Sequence, residues 1–329
     1  MQIAKQILAF FLCLFILWGC SPSPSEPTAE TAAMPTRAIQ VTQPIPLVTL
    51  PAEAEALELP SEPPWVPEAL ASGEALESCP DAEIDYSHTQ DGYVMVRYLT
   101  PTDLRLKVLI KGPTTTYSYN LPQGDWVVFP LSDGDGSYQV AVYRNVSGTR
   151  YAMVLSASFQ TQLLDEFAPF LRPNQYVHYT ADSQVLQKAG ELTAGLDNPL
   201  DKVAAVYDFV VTGITYDHEK AATVKSGYLP VLDQVLQEGT GICFDYAALV
   251  TAMLRSQKIP CKLVVGYAGQ VYHAWISVWT EEHGWIDGII FFDGQHWQRL
   301  DPTFASSGGN NPEIMDFIQN GTYTAKYLY

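Results

Sequence analysis

The sequence predicts an α+β protein in which a small all-β, sandwich-like domain precedes helices packed on an antiparallel sheet. Three observations carry this. Between about 84 and 163, apolar residues alternate with polar ones and turn residues interrupt them regularly. From 198 to 258 the apolar positions recur at one-face helical spacing. Beyond 262 the alternation returns. Helices followed by antiparallel strands fit an α+β domain rather than repeated βαβ units.

The chain has 329 residues, more than one ordinary domain. Lys5 is the only charged side chain ahead of an apolar run over 7–19. That run suits a signal-peptide core and is shorter than the roughly 20 residues needed to span a bilayer. It ends Leu17-Trp18-Gly19-Cys20-Ser21, which resembles the bacterial lipoprotein signal. The resemblance implies a signal peptide over 1–20, a lipidated Cys20, and a membrane-anchored protein on the extracytoplasmic face. A plain secretory signal with a chance cysteine is the alternative. Residues 21–82 hold 12 of the 23 prolines, ten acidic residues, one Arg and no Lys. Such a segment buries too little apolar surface to offset chain entropy and reads as a disordered stalk. The net charge of −18 argues against nucleic acid as a partner, and against a basic patch on an anionic membrane.

The β-domain is expected over 83–164. Tyr93-Val94-Met95-Val96-Arg97-Tyr98, and the segments 106–110, 126–129 and 138–143, read as strands, separated by Asp91-Gly92, Gly112-Pro113, Gly124-Asp125 and Ser147-Gly148. Asp133-Gly134-Asp135-Gly136 superficially resembles a calcium loop but lacks the remaining ligands, so it reads as a polar hairpin turn. No titratable cluster marks this domain as catalytic. In the second domain, 165–329, Asn198-Pro199 caps a helix whose buried face is Val203, Val206, Tyr207, Val210, Val211 and Ile214. A second helix starts near Gly241 and runs to Lys258, ahead of Pro260. Strands follow over 262–267, 271–279, 285–292 and 297–301.

Three residues on three elements carry the candidate chemistry. Cys243, in Gly239-Thr240-Gly241-Ile242-Cys243-Phe244-Asp245-Tyr246, sits at a helix start, where exposed N–H groups and the dipole favour the nucleophilic thiolate. His273, in Tyr272-His273-Ala274-Trp275, lies on a strand just past a tight turn and has the range of a general base. Asp301, in Leu300-Asp301-Pro302, supplies a carboxylate at a strand end. Taken singly, these read as a buried thiol, a core histidine and a turn-forming aspartate. Taken together, at separations of 30 and 28 residues, they lie where a helix, a hairpin and a returning strand can converge.

Cys243-Phe244-Asp245-Tyr246-Ala247, Gly266-Tyr267, His273-Ala274-Trp275 and Asp301-Pro302-Thr303 resemble the core of the transglutaminase-like superfamily, which is related to papain-type cysteine proteases. The layout is similar to that of bacterial surface lipoproteins of this superfamily. The resemblance implies a papain-like transglutaminase core with Cys243 as nucleophile, His273 as base and then acid, and Asp301 as the group that orients the imidazole. No cofactor is expected, and because the acidic clusters of calcium-dependent animal transglutaminases are not recognisable here, no metal is implied. The resemblance also implies a protein or peptide substrate at the cell envelope, attacked at an amide through a thioester. A cysteine peptidase or amidase of the same fold and an inactive binding scaffold are the alternatives. Oxyanion donors are sought in the Cys243 N–H, in Gln237 and in Tyr216. Cys261, His283 and His296 lack the pair spacing of a zinc site. Tyr267, Tyr272, Trp275, Trp279 and Trp297 either line an acceptor path or pack the sheet.

Overall fold

A computed structural model describes residues 64–287, 290–292, 297–299 and 322–329. Cys20, the signal segment and stalk residues 21–63 lie outside the described residues, as does Asp301. The first eight strands are β1 (Leu76–Ser78), β2 (Ala82–Asp85), β3 (Tyr93–Tyr98), β4 (Leu106–Lys111), β5 (Thr116–Asn120), β6 (Val127–Pro130), β7 (Gly136–Ser147) and β8 (Arg150–Thr161). They form two four-stranded antiparallel sheets, ordered β1-β2-β3-β6 and β5-β4-β7-β8. Inward residues of both sheets, among them Ile84, Val96 and Phe129 from one and Val108, Ile110 and Val140 from the other, are buried in a shared core. This is the expected sandwich. The Asp133 carboxylate accepts from the N–H groups of Thr114 and Thr115 (2.5 and 2.8 Å), and Asp135 accepts from Leu163 N–H (2.8 Å). Both acids are thus engaged in holding loops.

The sandwich begins earlier than the sequence suggests. Residues 64–82, expected within the stalk, are folded with it. β1 pairs with β2, the Tyr93 hydroxyl accepts from Leu70 N–H (3.1 Å), and the Asp85 carboxylate accepts from Gly73 N–H (2.7 Å). Val66 packs on the core. The segment is held largely by backbone bonds to side chains far along the chain, which composition does not register.

The helical part comprises α1 (Gln184–Thr193), α2 (Pro199–Gly213), α3 (His218–Thr223), α4 (Leu232–Glu238) and α5 (Cys243–Ser256). Asn198 caps α2 as expected, accepting from Leu200 N–H (2.8 Å), and Val203, Val206, Tyr207 and Val210 form its buried face. A short parallel pair, β9 (Thr215–Tyr216) and β10 (Thr240–Gly241), runs into the start of α5. The second sheet system follows as β11 (Cys261–Ala268), β12 (Val271–Thr280), β13 (Gly284–Asp287), β14 (Ile290–Phe292), β15 (Trp297–Arg299) and β16 (Tyr323–Leu328). Four of these form an antiparallel sheet in the order β13-β12-β11-β16, and β14 pairs with β15. α5 packs across β11 and β12.

One apolar cluster continues from the sandwich into this second part. At the junction, Tyr327 and Tyr329 meet Tyr117 at ring-centroid distances of 6.0 and 5.7 Å, and Tyr329 meets Tyr119 at 5.9 Å and Tyr176 at 4.2 Å. Tyr176 in turn contacts Phe244 on α5 (5.8 Å). Arg255, in the last turn of α5, is fully buried. Its guanidinium donates to the carbonyls of Cys261 (2.8 and 2.9 Å), Arg172 (2.6 Å) and Tyr329 (2.7 Å). The planar fork thereby ties the end of the helix to β11, to the connection from the sandwich and to the residue after β16.

Candidate active site

Cys243 is the first residue of α5, half-buried and free of any disulfide. Its position is built from the chain before it. β9 and β10 align Tyr216 with Gly241, and Asp217 N–H donates to the Gly241 carbonyl (2.9 Å). A Cβ on Gly241 would lie 2.8 Å from that of Asp245, so only glycine lets the strand approach the helix start this closely. The Ile242 carbonyl accepts from Tyr246 N–H (3.0 Å), and the Tyr246 hydroxyl donates to the Ile214 carbonyl (2.6 Å). The thiol therefore sits on a well-anchored first turn at the N-terminal end of α5.

His273 lies on β12 opposite Gly266 of β11, is only 5% exposed, and stacks near Trp275 (6.3 Å between ring centroids). Gly266 has no room for a side chain. A Cβ there would lie 2.0 Å from the Thr324 carbonyl oxygen and 2.9 Å from the Trp275 ring, because β16 crosses this point at an irregularity in its pairing. Ala274, Ile276 and Val278 belong to the same apolar cluster as α5, while strand alternation puts His273, Trp275 and Ser277 on the other face of β12. α5 and β12 are direct neighbours, and His273 sits on the face of β12 opposite the one that packs on the helix. Asp301 falls outside the described residues.

The other sequence-derived candidates sort clearly. Tyr216 is paired with Gly241, two residues before the nucleophile position. Gln237 is exposed on α4. Trp275 is buried against Tyr323 (5.3 Å), and Trp279 meets Phe167 at a tilt (4.4 Å), so both pack the sheet. Tyr267 and Tyr272 are 41% and 56% exposed and meet edge to face at the β11–β12 end (5.5 Å). Beside Cys243 the aromatic wall is Phe244 with Tyr176 and Tyr228 (5.8 and 6.4 Å), which the sequence reading did not single out. Cys261 is fully buried, with its sulfur 3.6 Å from the Thr251 hydroxyl, and burial pushes its thiol up to about 11. It is a packing residue, as its place at the head of an apolar strand suggests.

Residues missed entirely surround Asp245. This fully buried carboxylate accepts from Ile242 N–H (2.9 Å), the Lys220 ammonium (2.7 Å) and the Tyr228 hydroxyl (2.5 Å). An acid three residues past a helix cap was a legible signal. Its partners, 25 and 17 residues upstream, were not.

Residues 187–302 match the family profile described as Transglutaminase-like superfamily, which spans the helices, Cys243 and His273. These residues form a transglutaminase-like superfamily domain. The chain is 31% identical over 116 residues to "Uncharacterized protein YebA" of Bacillus subtilis (strain 168), an alignment covering 29% of this chain and 16% of that protein. This chain therefore spans well under two thirds of that relative. Among solved structures, similarity extends to a candidate cysteine protease from Cytophaga hutchinsonii (14% identity, 77% of this chain and 81% of that one, TM-score 0.32). It extends also to red sea bream transglutaminase (13% identity, 71% of this chain and 56% of that one, TM-score 0.28). The domain is a mixed α+β core with an antiparallel sheet, preceded by the antiparallel sandwich.

Proposed function

We propose that this protein is a surface-tethered cysteine acyl-transfer enzyme that attacks an amide, either a glutamine side chain or a peptide bond. One observation carries the reading: a disulfide-free, half-exposed thiol heads a helix inside a segment that matches the transglutaminase-like superfamily and also holds His273. His273 takes the Cys243 proton, and the thiolate adds to the amide carbonyl. The imidazolium then protonates the leaving nitrogen, so ammonia or an amine departs as the C–N bond breaks and a thioester forms. Asp301 holds the imidazole and stabilises its charged form. Water or a primary amine next attacks the thioester, giving up its proton to His273 and returning the thiol. Tyr216, held beside Gly241, is the preferred side-chain candidate to help the Cys243 N–H stabilise the oxyanion.

The resolving nucleophile decides between a crosslinker and a hydrolase. Given a glutamine-containing peptide and rising concentrations of primary amine, the enzyme is expected to form an amine adduct with release of ammonia, read by mass spectrometry. Backbone cleavage with no adduct at high amine assigns a peptidase instead. No chemistry on either substrate, from a folded protein, favours the scaffold reading.

The tether is proposed at Cys20, with residues beyond it acting as a stalk that extends up to about 3 Å per residue if polyproline-like. Protein recovered from membranes is expected to begin at Cys20 and to carry a diacylglyceryl mass by intact-mass measurement. A mature N-terminus elsewhere, without lipid mass, overturns the tether.

A further inference from the structure

The acyl-transfer chemistry leaves unused a buried charge pair next to the nucleophile. Asp245 holds the first turn of α5 through Ile242 N–H, and it is fully buried. Lys220, on α3, pairs with it at 2.7 Å and keeps 30% of its side chain exposed. The ammonium also lies 4.5 Å from the Tyr228 ring centroid, and Tyr228 donates to the second carboxylate oxygen. Burial pulls the lysine pKa down, but the bonds to Asp245 and Tyr228 outweigh it, and the net shift is upward. Lys220 is therefore cationic throughout the neutral range.

Without that cation, Asp245 would be a buried negative charge two positions from Cys243. A like charge disfavours ionisation of a neighbouring group, and little water intervenes to screen it. Side chains two apart on a helix point away from each other, so the carboxylate acts on the thiol through its field rather than by contact. We propose that Lys220 is a positioning residue acting through Asp245: it neutralises the carboxylate that fixes the nucleophile turn, so that the turn is held without a charge opposing the Cys243 thiolate. This rests on Cys243 being the nucleophile. Other ionisable groups on elements packed against α5 include His273 on β12, Lys262 on β11, Lys188 and Glu191 on α1, Asp201, Lys202 and Asp208 on α2, and Asp233 and Glu238 on α4, while Tyr216 on β9 and His218 and Glu219 on α3 lie close to Lys220 along the chain. These are common to every variant below, so they set the baseline and cancel in the differences.

The test is the pH dependence of Cys243 carbamidomethylation by iodoacetamide in the full-length protein, resolved by peptide so that the other cysteines are scored apart. Lys220→Met is expected to raise the labelling midpoint by about 1 pH unit, and Asp245→Asn to lower it by a similar amount. The double variant is expected to return close to the parent. Asp245→Asn retains an oxygen for Ile242 N–H, so this arm stands even where Lys220→Met fails to fold by circular dichroism. A purely structural pair would lower melting temperature in both single variants without moving the midpoints in opposite directions. Shifts of the same sign, or none beyond about 0.2 unit in the folded variants, overturn the proposal. Because labelling needs no substrate, this outcome is separate from the nucleophile assignment: turnover surviving Cys243→Ala sinks that assignment whatever the midpoints do.

Discussion

Cys243→Ala is expected to abolish turnover, by at least about 10⁴-fold, while leaving the fold intact. The thiol is half-buried at a helix start, so removing its sulfur vacates little core volume. Ala is also a good helix former at that position. Backbone bonds hold the turn: Tyr246 N–H to Ile242 and the Tyr246 hydroxyl to Ile214. Turnover and thermal melting measured on one preparation separate the two effects. Activity within tenfold of the parent removes Cys243 from the chemistry. A loss of melting temperature beyond a few degrees makes it a structural thiol instead.

Arg255→Met is expected to destabilise the protein by about 3–5 kcal/mol, the range for removing one partner from a buried charged network. Methionine fills much of the volume but donates nothing, and the carbonyls of Cys261, Arg172 and Tyr329 remain buried where they stand. For a folded region of this size the loss corresponds to roughly 6–20 °C in melting temperature. Arg255→Lys should recover only part of it, because an ammonium cannot span the same acceptors with one planar fork. A Met variant within 1 kcal/mol of the parent by chemical denaturation would show that the carbonyls find other donors.

The features legible in the sequence are those with a local rule behind them. Asn198-Pro199 announced α2, and the spacing of Val203, Val206, Tyr207 and Val210 gave its buried face. The tight turn and alternation around 262–279 gave the β11–β12 hairpin, and the glycines before Cys243 gave the start of α5. What escaped depends on distant partners. β16 lies over fifty residues beyond its neighbour β11 in the chain, and β1 is too short and polar to stand out. Trp275 and Trp279 read from the sequence as packing or as path, and Tyr323 and Phe167 against them make both packing residues. Arg255 looks like a surface charge in the sequence, and Asp245 shows there only as an acid in a first helical turn, since nothing local shows that three backbone carbonyls or Lys220 will meet them in the interior.

The tyrosines beyond β11 carry a consequence for timing. Tyr327 and Tyr329 fill the seam against Tyr117 and Tyr119, and β16 supplies the sheet edge beside Gly266. A chain made from its N-terminus has its sandwich, its thiol and its histidine in hand while that seam is still open. Closing contacts this distant in sequence is slow, because the loop entropy must be met before the pairing is gained. Maturation therefore waits on residues 323–329, and a polypeptide arrested before them presents a row of unfilled aromatic sockets to whatever quality-control protease or chaperone patrols its compartment.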